Sequence, residues 1–217
     1  MTSRRNFLGL LGAGAALPML PAPLPTNDDL TPIVADWDLS WVDRIQKPHK
    51  VVIDSPAVSD GGAIYRSVMF RDQYSQVFGT FPDQIGSVLV IRHAAIPLVM
   101  DHPYWEKYGG GEQAEMKDRE DKWVTRNPVG APAADARPNA AKYTIPGFME
   151  SGGVVLCCDL ALRGFIVPSL TKAGIARDVA RDEAVKMLIP GVIVQPSGFF
   201  AVLRAQQAGC ALFCNGE

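Results

Sequence analysis

The chain reads as a three-layer α/β/α domain built on a mainly parallel five-stranded sheet, and three observations predict this. Five short runs rich in Val, Ile and Leu stand near residues 50–54, 87–92, 154–158, 192–195 and 211–214, too brief for core helices and too continuously apolar for strands with one wet face. Helix-length connections separate them, as right-handed crossovers between parallel neighbours require. Apolar residues make up 47% of the 217, enough for one sizeable core. The formal charge of −2 gives no electrostatic footprint for nucleic acid, so none is expected as a partner.

Taken in order, Ser3-Arg4-Arg5-Asn6-Phe7-Leu8 precedes an uncharged apolar run from Gly9 to Leu20. The run is too short to cross ~30 Å of hydrocarbon comfortably, and the paired Arg4 and Arg5 give it the form of a twin-arginine signal over residues 1–25. Such a signal implies the twin-arginine translocase as a partner, export in the folded state and a periplasmic destination. Residues 26–49, with Trp37 and Trp41, read as an arm packed on the surface of a domain spanning 50–217.

The first strand, Lys50-Val51-Val52-Ile53-Asp54, ends in Ser55-Pro56. Ser59-Asp60-Gly61-Gly62 then supplies turn chemistry, with Asp60 a candidate cap for a helix whose apolar face is Phe70, Tyr74, Val77, Phe78 and Phe81. A second strand, Ser87 to Ile91, a third, Val154 to Cys158, and a fourth, Val192 to Val194, follow. Pro196-Ser197-Gly198 starts a helix through Phe199, Val202 and Leu203 that stops at Gly209, and Ala211-Leu212-Phe213-Cys214 closes the sheet. Residues 107–142 lack core periodicity, carrying Gly109-Gly110-Gly111, a charged run and an Ala/Pro-rich stretch. Their composition favours a mobile insertion over a functional lid.

Four cysteines in an exported chain invite a disulfide framework, but their placement opposes it. Cys157 and Cys158 are neighbours, and Cys210 and Cys214, if on one strand, stand ~13 Å apart, beyond the ~7 Å limit for a bridge. Two buried or half-buried thiol pairs are expected. The only G-x-G pattern, Gly12-Ala13-Gly14, lies inside the signal with no strand before it, so dinucleotide binding fails on context and no cofactor is expected.

Three blocks resemble the DsrE/DsrF-like family, the sulfur-relay and YchN-like α/β proteins. They are Val90-Ile91-Arg92-His93-Ala94-Ala95-Ile96, Gly153 through Leu162 with its Cys157-Cys158-Asp159, and Ile189-Pro190-Gly191-Val192-Ile193-Val194-Gln195-Pro196-Ser197-Gly198 with Leu203, Gln206, Gln207 and Gly209. Together they cover 50–213 apart from the insertion. The resemblance implies the strand order 4-3-2-1-5, a homo-oligomer and a sulfur-relay role, with Cys158 as the strand-end cysteine. Asp159 stands where the family usually has Gly.

Ligands of parallel sheets bind beyond the carboxyl ends of the strands, where His93 and Cys158 both fall. An imidazole and a helix N-terminus beside a thiol favour its thiolate, which would make Cys158 react faster than Cys157, Cys210 or Cys214. The plainer reading makes Cys158 a small buried hydrophobe and His93 a strand-end residue bonded to a carbonyl. Asp159 either opposes the thiolate or orients His93. Asp54, Ser55 and Ser197 shape the pocket, with Asp60 either lining it or capping a helix. Trp105 and Tyr108 form either a wall or packing under the insertion. A metal site of His93, Cys158 and His102 has no supporting ligand spacing. Two classes of function stay open: a thiol-based sulfur handler taking a small sulfur-containing molecule, and a non-catalytic subunit binding a ligand or an exported partner.

Overall fold

A computed structural model describes residues 37–132 and 136–215. The export signal and the start of the arm lie outside the described residues. Helix α1 (Trp41–Arg44) leads into β1 (His49–Ser55), α2 (Gly62–Phe78) and β2 (Ile85–Ile91). A 3-10 turn (His93–Val99) then precedes α3 (His102–Tyr108), α4 (Gly110–Gln113) and α5 (Ile145–Glu150). After β3 (Val154–Cys158), α6 (Asp159–Ala161) runs through a π-helical turn (Leu162–Ile166) into α7 (Val167–Lys172). The chain closes with α8 (Ala180–Lys186), β4 (Ile193–Gln195), α9 (Gly198–Gln207) and β5 (Ala211–Cys214).

The five strands form one sheet in the order β4-β3-β2-β1-β5, and every pairing is parallel. Strand positions and order are those expected. From β1 to β4 each crossover steps the same way, so right-handed connections keep their helices on one face; the return from β4 to β5 reverses the step and must use the other. The packing obeys this. One core joins Ile53, Leu89, Ile91 and Val155 to Ile64, Phe148, Leu162 and Ala184, whereas the second joins Val52, Val88, Val90 and Leu156 to Ala201, Val202 and Ala205 of α9.

Three expectations are corrected. The arm is not merely laid on the surface, because Trp41 and Ile45 are fully buried in the second core beneath α9. Its close approach depends on Gly86, where a Cβ would stand 2.7 Å from the Ile45 carbonyl oxygen. The sheet-facing stripe of α2 is Ala63, Ile64, Ser67, Val68 and Arg71, not the aromatic stripe, and Val77, Phe78 and Phe81 are exposed. Both stripes recur at helical spacing, but the smaller side chains let the helix lie close to the strands.

The 107–142 segment is anchored in its described part. The Asn127 amide donates to the carbonyls of Leu98 (2.8 Å) and Met100 (2.6 Å) and accepts from the Val129 N–H, while Ile145 N–H donates to the Val129 carbonyl. Gly111 fits where a Cβ would meet the Val124 carbonyl oxygen at 2.0 Å. One buried amide closing three backbone groups, rather than an apolar stripe, holds this stretch, which is why periodicity did not reveal it.

Candidate functional site

The helix after β3 leaves toward one face of the sheet and α9, after β4, toward the other. Their divergence opens a crevice at the carboxyl ends, as parallel sheets do where connections change sides. It has a volume of about 220 Å³ and is lined by Arg92, His93, Cys158, Ser197, Phe165 and Phe199, among others.

Cys158 ends β3 and serves as the N-cap of the helical stretch that follows, its sulfur accepting the Ala161 N–H at 3.4 Å. The residue is only 6% exposed, yet its free thiol borders the crevice. Helix-terminal amides attract an anionic sulfur. His93 is exposed at the mouth in a left-handed conformation with φ of 52°, uncommon for a residue other than glycine and often found at functional sites. Its ring stands edge-on to Phe165 with centroids 5.3 Å apart. Cys158 and His93 share the crevice, but no hydrogen bond joins them among the described residues; the sulfur's partner is the backbone.

Sequence reasoning missed Arg92. Its guanidinium grips Asp54 through two hydrogen bonds, Nε to Oδ1 at 2.7 Å and Nη2 to Oδ2 at 2.8 Å. The bond from Asp54 raises the Arg92 pKa first of all, against burial, and the charges of Cys158 and Cys214 raise it further. The side chain lies 4.8 Å from the centroid of the Phe199 ring and packs on Gly198, where a Cβ would come within 2.4 Å of its Cδ. The signal was its parity: Arg92 continues the stripe of Val88 and Val90, which faces α9.

The other expected residues divide. Ser197 lines the crevice and caps α9, its hydroxyl oxygen accepting the Phe200 N–H at 3.1 Å. Asp54 acts one step back, by clamping Arg92. Ser55 is fully buried and donates to the Ala57 carbonyl, so it closes a turn. Asp60 does not cap α2, whose N-cap is Gly61 without a side-chain bond; it is exposed at φ of 51°. Trp105 is no wall of the crevice, since it is 1% exposed in the core with its indole N–H donating to the Pro97 carbonyl at 2.8 Å. Asp159 neither orients His93 nor leaves its charge uncompensated. It is buried and accepts from Arg163 at 2.6 Å and Arg181 at 2.9 Å.

All four thiols are free, but Cys214 is exposed rather than part of a buried pair. Burial pushes the Cys157 thiol well up and the Cys210 thiol up to about 11. Among the described residues no group of three or more His, Cys, Asp or Glu could hold a metal ion. Comparison with known families finds no family model that matches the chain, and comparison with curated proteins finds no match.

Proposed function

We propose that this is an exported protein of DsrE/DsrF-like type whose crevice accepts and passes on a sulfane sulfur, with Cys158 as the acceptor. The observation that carries the reading is the junction of a free strand-end thiol, backbone N–H groups and the Arg92 guanidinium around one small cavity. In the step, the Cys158 thiol gives its proton to His93 and the thiolate attacks the outer sulfur of a persulfide, R–S–SH. The new sulfur–sulfur bond forms as the old one breaks, R–S⁻ leaves with the electron pair, and His93 returns a proton to give R–SH. Cys158 then carries a persulfide, and delivery to an acceptor thiol is the reverse.

Incubation with inorganic polysulfide, followed by alkylation and peptide mass mapping, is expected to add one sulfur to Cys158. Cys158→Ser should remove that gain without unfolding the domain, and His93→Ala should slow it. If Cys158 gains nothing in the folded wild type, the thiol reading falls. The low exposure of Cys158 would then favour the second reading, a non-catalytic subunit binding a small ligand in the crevice.

Export rests on the guanidinium pair and not on charge alone. Replacing Arg4 and Arg5 by Lys is expected to hold the precursor in the cytoplasm. Equal periplasmic yield of the Lys-Lys form on cell fractionation would refute the assignment.

A further inference from the structure

A cavity of about 300 Å³ opens near the amino ends of β2 and β3, the opposite end of the sheet from the crevice, and is independent of the thiol reading. Ile85 at the start of β2, Val68 and Pro82 give it apolar walls, while Arg71, Lys142 and Ser151 give it polar ones. Arg71 belongs to the sheet-facing stripe of α2 and is only 8% exposed. Two of its five N–H groups go to one residue: Nη1 donates to the Ser151 hydroxyl at 2.6 Å and Nη2 to the Ser151 carbonyl. That hydroxyl donates in turn to the Phe148 carbonyl at 2.7 Å, so the guanidinium is held against the C-cap of α5.

Both of these partners are neutral. Burial pulls the Arg71 pKa down, and the charge of Asp72 offsets this only in part. Asp72 is engaged elsewhere, because Lys142 reaches its carboxylate at 3.1 Å. The lining of the cavity therefore holds two cations against one carboxylate, and the cation without an ion pair among the described residues is the covered one. Taking a guanidinium out of water costs more than bonds to a hydroxyl and a carbonyl return. A neutral side chain would staple α2 to α5 as well; what a buried cation beside an open cavity adds is attraction for an anion.

We propose that this cavity binds a small organic acid, its carboxylate on Arg71 with Lys142 at the rim and its apolar body against Val68, Pro82 and Ile85. A guanidinium and a carboxylate match as a two-bond fork, and the apolar walls take the ligand's carbon skeleton out of water. The volume lies at the low end of the ~300–1,000 Å³ of small-molecule pockets, which suits a molecule the size of benzoate rather than a nucleotide or a peptide. Inorganic phosphate would meet the charge but leave the apolar walls wet.

Calorimetric titration of the full chain with benzoate, acetate and inorganic phosphate, at fixed ionic strength, tests this. Saturable benzoate binding in the millimolar range or tighter is expected, and tighter than that of acetate or phosphate. Arg71→Gln should weaken it at least tenfold, and Lys142→Gln, at an exposed position, severalfold. Ser151→Asp gives Arg71 a carboxylate from within the chain. Ser151 is exposed, so this variant should fold and lose benzoate, which covers the case of an Arg71→Gln chain that fails to fold. Benzoate binding unchanged in both Ser151→Asp and Lys142→Gln, acetate or phosphate binding as tightly as benzoate, or no saturation at tens of millimolar would overturn the proposal.

Discussion

Replacing Arg92 by Met is expected to destabilise the domain by about 3–5 kcal/mol, the usual consequence of stranding one member of a buried ion pair. Asp54 is only 8% exposed, and both of its carboxylate oxygens are held by Arg92. Among the described residues Arg92 is the only cation that forms an ion pair with Asp54. Methionine keeps much of the stem that packs over Gly198, so the loss isolates the charge. Adding Asp54→Leu should restore most of the stability, because the desolvation cost disappears with the carboxylate. Urea midpoints compared at equal slope measure both effects. A double variant as unstable as the single one would show that packing of the arginine stem against Phe199 and Gly198, not charge, is what matters. Sulfur loading at Cys158 should be lost in both, because each lacks the cation beside the thiol; stability and function separate in the double variant.

The sheet was legible because each strand is an apolar run with no competing pattern, from Val51-Val52-Ile53 to Ala211-Leu212-Phe213. Strand order was not written in those runs and came from resemblance. The buried face of α2 was not legible because its aromatic stripe recurs at the same helical spacing as Ala63, Ile64 and Val68, the less bulky side chains that close helix–sheet contact needs. At the site, Cys158, His93 and Ser197 were found by one positional rule, the carboxyl ends of parallel strands. Applied also to Arg92, that rule would have named it; a cation next to a histidine reads as a solvated pair until the facing Asp54 is seen. The link from Asp159 to Arg163 was available from its i,i+4 spacing. Its link to Arg181 was not, since no local pattern joins residues 22 apart.

Alkylation of the native protein near neutral pH should label Cys214 first and Cys158 more slowly, with Cys157 and Cys210 slower than Cys214 by two orders of magnitude or more. Cys214 lies on an exposed edge strand, so access alone puts it first. Cys158 opens on the crevice but is nearly covered, and its rate should rise when the rim residue Phe165 is cut to Ala. The other two are limited by chemistry as well as cover. A thiol pushed up to about 11, as Cys210 is, is ionised to about one part in ten thousand at pH 7, against about three parts in a hundred at the unperturbed ~8.5. Cys157 is fully buried and should react only through opening of the sheet. The same two thiols set an alkaline limit. Each holds its proton to higher pH when folded than when unfolded, so their contribution to stability is complete below about pH 8.5 and is lost as pH rises above it, toward about 11 for Cys210. Time-resolved labelling with peptide mapping, and thermal unfolding from pH 7 to 11, read both effects. Labelling of Cys157 or Cys210 as fast as Cys214 in the folded chain would mean that the sheet's covered faces are not closed at these positions, and Cys158 would then have no special claim as the thiol that meets a substrate.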